Sequence, residues 1–407
     1  MSETFVIIGA GQAGCQAAAT LRSEHFTGDI VMIGDEAQPP YQRPPLSKKY
    51  LMGELAAPRL ELRPRKFYDD QNVTLKLATR ALSIDTRAHR ITLSDGTSQP
   101  YTKVLLATGT RARPLAIPGA DLTGIFYLRT LADVDQLRPQ VAPGKRVVLL
   151  GGGFIGLEVA AVAAKLGCAV TVVEMAPRLM GRAVSDVVSK FYLDEHRKAG
   201  VTVYLDTASV AIEGANGAAT GVKLSTGDTV PADIVLVGIG ALPNDELAKA
   251  AGIACGNGIM VDEFGCTSDP DVFAAGDCAD HPNPFAKGRF RLESVQNAID
   301  QAKYAAKAMM GNKIAYHEVP WFWSDQYDLK LQMAGLAIGY DMTVQRGSTD
   351  ARSFSVFYLE NGRVIAVETV NAIPEYMIGR KLIAAKTHVD PEKLADPGVP
   401  IKTLAEG

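Results

Sequence analysis

Gly9-Ala10-Gly11-Gln12-Ala13-Gly14 and Gly151-Gly152-Gly153-Phe154-Ile155-Gly156 are the residues of this chain whose types and spacing most clearly prescribe chemistry. Both follow an apolar run and open a stretch with helical character. The first glycine of such a fingerprint allows a tight strand-to-helix turn. The second lets backbone N–H groups approach a pyrophosphate, and the third lets helix and sheet pack closely. The helix N-terminus adds unpaired donors and a dipole that favours an anion. In each unit a second strand then ends in an acid, Asp35 or Glu174, 21 and 18 residues past the last glycine. A carboxylate near a spacing of roughly 20 residues accepts hydrogen bonds from ribose hydroxyls. Two full fingerprints imply two dinucleotides, one to give electrons and one to take them.

The elements that must position these residues are themselves repeated. Phe5-Val6-Ile7-Ile8 and Val147-Val148-Leu149-Leu150 read as buried strands leading into the turns. Hairpin patterns at 80–93 and 209–224 lead to apolar strands that end at Thr108-Gly109 and Gly240. The closing segments lie at a constant offset of 131 and the fingerprints at 142, so the first half carries 11 extra residues. The Pro-rich loop from Pro39 to Lys48 is the expected insertion, covering the ligand of the first half. Gly276-Asp277 follows a short strand near 272–275 and suits a polar partner for a dinucleotide, ahead of a helix expected over 293–310. Alternation in 354–359 and 363–370 around Glu360-Asn361-Gly362 predicts a β-hairpin. The expected fold class is α/β, with two Rossmann-like nucleotide-binding domains bearing β-meanders and a C-terminal α+β domain. The expected segments are 1–112 and 243–319 for the first nucleotide domain, 113–242 for the second, and 320–407 for the last.

Length and composition narrow the function classes. At 407 residues the chain is long enough for two or three domains, and 47% apolar with 21% charged residues is ordinary for a globular protein. A net charge of −3 gives no global attraction to nucleic acid or anionic lipid. The first strand begins almost at the N-terminus and no apolar run reaches membrane-spanning length, so a cytoplasmic location is expected. Cys15, Cys168, Cys255, Cys266 and Cys278 include no C-x-x-C pair, which argues against both a redox dithiol and a disulfide framework. The six histidines are scattered, and no metal site is expected.

The chain resembles the glutathione-reductase-fold ferredoxin reductases, specifically the putidaredoxin-reductase-like branch, over essentially its whole length. The resemblance rests on Pro44-Pro45-Leu46-Ser47-Lys48, Leu106-Ala107-Thr108-Gly109, Tyr127-Leu128-Arg129-Thr130, Gly156-Leu157-Glu158, Gly276-Asp277-Cys278-Ala279, Glu293-Ser294-Val295-Gln296-Asn297-Ala298 and Pro320-Trp321-Phe322-Trp323-Ser324-Asp325-Gln326-Tyr327. The last is the most discriminating, being rich in rare residues and outside the generic nucleotide machinery. The resemblance implies that FAD's adenosine end is held by Gly9 to Gly14 and Asp35. It implies further FAD contacts from Lys48, Ala81, Arg129 and Asp277, with Val295 and Trp323 lining the flavin. It also implies a Lys48–Glu158 ion pair beside the ring.

The second fingerprint would then hold the nicotinamide nucleotide. Glu174 repels a 2′-phosphate and no arginine immediately follows it, so NADH is expected over NADPH. Arg178 and Arg182 read as solvated. The expected reaction is hydride transfer from NADH to FAD, then single electrons to a two-iron two-sulfur ferredoxin feeding a haem-thiolate monooxygenase or Rieske oxygenase. Docking of that acidic partner would be transient and electrostatic. Its expected basic contacts are among Arg63, Arg65, Lys66, Lys303, Lys330, Arg380 and Lys381. The chain would act as a monomer or homodimer. Two alternatives remain at this point: reduction of a small quinone or radical, and a redox-sensing interaction flavoprotein.

Overall fold

Alternating faces of short apolar strands explain most of the architecture. A computed structural model describes residues 3–405, and the chain divides into two compact units. The first comprises the chain up to Gln42, Pro58–Arg111 and Leu242–Phe322; the second comprises Arg43–Ala57, Ala112–Ala241 and the chain from Trp323 onward.

In the first unit five parallel strands run in the order Val272–Ala274, Lys103–Leu106, Thr4–Ile8, Asp29–Ile33, Val73–Lys76. Val6 pairs with Val31 on one side and Val104 on the other. Successive side chains of a strand point to opposite faces. Phe5 and Ile7 therefore pack against Ala17, Ala18 and Leu21 of the helix Gln12–Ser23 and Ala302, Ala305 and Met309 of the helix Val295–Met309. Val6 and Ile8 face the other way, onto Ile84, Ile91 and Leu93 of the meander Ala81–Asp85, Arg90–Leu93, Ser98–Pro100. Both faces are covered, as a parallel sheet requires.

The second unit repeats the plan with strands Thr202–Tyr204, Ala169–Val173, Arg146–Leu150, Ile234–Val237 and Ile125–Phe126, again all parallel. Val148 and Leu150 pack on Val222 and Leu224 of the meander Ser209–Ala215, Ala218–Leu224, Thr229–Pro231. The C-terminal segment adds a five-stranded sheet in the order Trp321–Gln326, Leu329–Gly335, Arg363–Val370, Ser353–Glu360, Met342–Ser348, antiparallel in its pairings from Leu329 onward. Its expected hairpin turns at Asn361 and Gly362, with φ of 50° and 76°, the two left-handed positions of a tight hairpin turn. The helix Ile373–Ala385 buries Tyr376, Ile378, Leu382 and Ile383.

The Pro-rich insertion does not travel whole with the fingerprint that precedes it: Arg43–Ala57 belongs to the unit holding the second fingerprint. Leu46, fully buried, and Tyr50, whose hydroxyl donates to Asp135 Oδ1 at 2.6 Å, anchor it there. Apolar anchors, invisible to a count of inserted residues, decide where such a loop packs.

Candidate functional site

The first fingerprint has the geometry its glycines demand. Gly9 has φ of 123°, and a Cβ there would lie 2.1 Å from the Ala107 carbonyl oxygen; one at Gly14 would lie 2.0 Å from the Gly9 oxygen. Gly11 is the N-cap of the helix Gln12–Ser23, with no side-chain capping bond, and a Cβ there would meet nothing within 4 Å. The open approach to first-turn N–H groups fits a pyrophosphate. Gly276 closes on the same turn, since its Cβ would come 3.2 Å from the Ala13 Cβ. Gln301 Oε1 accepts from the Gly276 N–H at 2.8 Å, and Arg291 donates to the Asp277 carbonyl at 2.9 Å. Thr108 and Asn244 brace the neighbouring turn: Thr108 Oγ1 donates to the Asn244 carbonyl at 2.6 Å and Asn244 Nδ2 to the Thr108 carbonyl at 2.8 Å. Gly109 follows with φ of 64°. Asp35 lies two residues past its strand, with its side chain exposed. Ala81 opens the meander half-buried, and Val295 is the first residue of its helix, next to the capping Ser294.

The second fingerprint matches the first in its essentials. A Cβ at Gly151 (φ 100°) would lie 2.5 Å from the Gly238 oxygen, and one at Gly156 2.6 Å from the Gly151 oxygen. Gly153 is an uncapped N-cap with open space above it. Ile155, in the first turn, is 45% exposed, which leaves an apolar side chain beside the open N-terminus. Glu174 directly follows its strand. Its Oε2 accepts from the Gly152 N–H at 2.6 Å and its Oε1 from the Ala176 N–H at 2.7 Å. A carboxylate has about four lone-pair sites, so each oxygen keeps one for a ribose hydroxyl. Gly240, with φ of 115°, ends the closing strand's turn, and its carbonyl accepts from the Arg113 N–H at 3.0 Å. Arg178 is not simply solvated: its Nε lies 3.0 Å from Asp186 Oδ1 and its Nη1 donates to the Val184 carbonyl at 2.6 Å.

Lys48 and Glu158 meet within this same unit. Pro44 and Pro45 start a short 3₁₀ turn, Pro44–Ser47, that presents Ser47 and then Lys48. Lys48 Nζ is 2.7 Å from Glu158 Oε2 and donates to the Pro44 carbonyl at 3.2 Å. Glu158 is 5% exposed and sits in the second turn of the helix Phe154–Lys165. Two serines complete its shell: Ser47 Oγ donates to Oε2 at 2.5 Å and Ser324 Oγ to Oε1 at 2.7 Å. Lys48 keeps 17% exposure, so its loss would cost less than the roughly 3–5 kcal/mol of a fully buried pair. Arg129 precedes a capping box in which Asp133 Oδ2 accepts from the Arg129 and Thr130 N–H groups, and its carbonyl accepts from Arg43 at 2.7 Å. Trp323 is half-buried in the strand Trp321–Gln326.

Sequence reasoning missed Ser47, Ser324, Asn244 and Gln301. Ser47 and Ser324 lie inside two of the motifs quoted for the resemblance, but a serine there carries no local mark of a carboxylate 111 or 166 residues away. Of the expected docking cations, Lys66 and Lys303 are each tied to a carboxylate on their own helix, Asp70 and Asp300. Arg63 and Arg380 lie over the rings of Phe67 and Tyr376.

Two parallel nucleotide folds, each with an open helix N-terminus and a following acid, define an oxidoreductase built for two dinucleotides. The chain belongs to the pyridine nucleotide-disulphide oxidoreductases, whose family model matches residues 3–302, and a reductase C-terminal domain matches 321–405. It is 46% identical to rhodocoxin reductase of Rhodococcus erythropolis over 98% of this chain and 93% of that one. It is 40% identical to putidaredoxin reductase of Pseudomonas putida over 99% and 97%. The structure of putidaredoxin reductase in covalent complex with putidaredoxin superimposes with a TM-score of 0.96, covering 99% and 98% of the two chains at 40% identity. A ferredoxin reductase from Rhodopseudomonas palustris gives 0.96, at 43% identity, over 99% and 100%. The chain is thus an oxidoreductase of the ferredoxin-reductase type, in a family that uses FAD and NAD(P)H.

Proposed function

We propose that the chain is an NADH-dependent, FAD-containing reductase that supplies single electrons to a two-iron two-sulfur ferredoxin, which in turn feeds a haem-thiolate monooxygenase or a Rieske oxygenase. The observation that carries this reading is the duplicated helix N-terminus, uncapped and open at both Gly11 and Gly153. The first, with Asp35, Ala81, Gly276, Asp277 and Val295, would hold FAD. The second, with Glu174, would hold NADH. Bound FAD supplies the conversion of a hydride pair into single electrons. Lys48 uses two of its three N–H donors on Glu158 and Pro44; the third, and its charge, favour electron density on the flavin. Glu158 restrains that lysine while nicotinamide approaches, with Arg129 and Trp323 completing the flavin's surroundings. Positioning and electrostatics carry the catalysis, with no nucleophile. Glu174 selects NADH, and Arg178, bound to Asp186 and Val184, is turned to its own loop rather than to a 2′-phosphate.

Relatives named as ferredoxin reductases of oxygenase systems support the acceptor. Docking is transient and electrostatic, drawing on Arg63, Arg65, Lys330, Arg380 and Lys381, in a cytoplasmic monomer or homodimer. The test is anaerobic bleaching of the purified holoprotein with NADH, followed by candidate ferredoxins while the iron–sulfur spectrum is recorded. Rapid ferredoxin reduction that slows with salt, beside flavin reduction that barely changes, is expected. Flavin that bleaches slowly and reduces no ferredoxin would refute the reading.

A further inference from the structure

The shell of Glu158 extends beyond its two serines. A carboxylate only accepts hydrogen bonds, so Ser324 places its single proton on Glu158 Oε1 at 2.7 Å. Ser324 Oγ is then free to accept, and Gln326 Nε2 donates to it at 3.3 Å. The same nitrogen is 4.0 Å from the Met180 sulfur, an acceptor, which agrees with this amide orientation. Gln326 Oε1 must therefore accept, and its partner at 2.8 Å is His196 Nε2. That contact puts the ring proton on Nε2 and leaves Nδ1 to accept from the Tyr327 hydroxyl at 2.9 Å. The donors all point one way, toward Glu158. Ser324, Gln326 and His196 are at most 1% exposed, whereas Tyr327 is 38% exposed, so the chain runs from the surface to the buried ion pair. Burial, more than any other influence, lowers the His196 pKa and keeps the ring neutral, against opposing effects of Gln326 and Glu195.

We propose that Tyr327, His196, Gln326 and Ser324 form a directed hydrogen-bond chain that tunes the field of Glu158 and, through Lys48, the electron affinity of the bound flavin. The proposal rests on the reading that Lys48 lies beside the flavin. These are positioning residues, acting through Glu158 rather than on substrate. Each donor turns its positive end toward the carboxylate and offsets part of its charge, and aligned bonds in a dry interior polarise one another. Without the Ser324 donor, the charge on Glu158 is less compensated and the local field opposes electron uptake. The proposal also gives a physical role to Ser324, Gln326 and Tyr327, within the most discriminating motif of the sequence, Pro320 to Tyr327.

Two readouts test this on the holoenzyme: the two-electron midpoint potential of the flavin, and the ring-nitrogen NMR shifts of His196 with ¹⁵N-labelled histidine. Wild-type His196 is expected in the neutral Nε2–H form, and Gln326→Leu is expected to shift it toward Nδ1–H. Ser324→Ala is expected to lower the equilibrium constant for flavin reduction about tenfold, or about 30 mV for two electrons. Gln326→Leu is expected to give a smaller fall in the same direction. Should Ser324→Ala fail to fold, Tyr327→Phe at the exposed end still removes the donor to Nδ1 and must move that nitrogen's shift. An Nδ1–H proton in the wild type overturns the proposal. So do unmoved potentials in Ser324→Ala and Gln326→Leu when Lys48→Gln lowers the potential. If Lys48→Gln itself leaves the potential unchanged, the placement of Lys48 beside the flavin is what has failed.

Discussion

Glu174→Ala should collapse the preference for NADH. In the structure each Glu174 oxygen already accepts one backbone N–H, from Gly152 and Ala176, and keeps one site for a ribose hydroxyl. A hydrogen bond to a charged group contributes about 1.5–3 kcal/mol. Losing two, with some non-additivity, amounts to about 3 kcal/mol, or on the order of 100-fold in the NADH arm. The NADPH arm moves oppositely, because a carboxylate about 5 Å from a phosphate charge repels it by roughly 3 kcal/mol at an effective dielectric of about 20. The ratio of the two nucleotides should therefore fall by at least about 100-fold. The assay is anaerobic stopped-flow flavin reduction, comparing the limiting rate over Kd for each nucleotide. Glu174 is half-buried, so the two N–H groups it releases can turn to water and the variant should retain FAD. A ratio that moves less than threefold in a folded, FAD-loaded variant would remove Glu174 as the selector.

Three further outcomes follow from particular contacts. Gly11→Ala should leave the apoprotein's melting temperature unchanged, because its Cβ meets nothing within 4 Å, yet weaken FAD binding at least tenfold by titration; Gly14→Ala, whose Cβ would lie 2.0 Å from the Gly9 oxygen, should impair folding itself. Buried Glu368 accepts from the Ser185 N–H and hydroxyl and from Tyr358 at 2.6 Å, so Glu368→Ala should cost about 3 kcal/mol in urea unfolding; a loss below about 0.5 kcal/mol would show that this contact contributes nothing. Burial, reinforced by Arg289, pushes the His281 pKa down to about 4 from its ordinary 6.5. The unfolded chain then binds the extra proton throughout that window, so stability is full above about pH 6.5 and falls as pH drops toward 4, by about 3 kcal/mol in all; His281→Gln should flatten this dependence in pH-resolved unfolding curves.

The nucleotide turns were legible in the chain alone, because the machinery that forms them is local. A strand, a turn that only glycine fits, a helix N-terminus and an acid some 20 residues on lie within one short stretch of chain. Strand alternation separates Phe5 and Ile7 from Val6 and Ile8, while packing gives the helices to the first pair and the meander to the second. The tertiary structure alone decided what surrounds Glu158. Ser47 and Ser324 are 111 and 166 residues from it, and His196 is 130 from Gln326. Hydrogen bonds over such separations leave no periodicity in the chain; they exist only once strand, helix and loop are packed. The same holds for the Pro-rich insertion, which the burial of Leu46 and the anchoring of Tyr50 join to the second fingerprint's unit. Local sterics wrote the nucleotide turns into the sequence, and long-range packing chose the groups that hold the buried ion pair between Lys48 and Glu158.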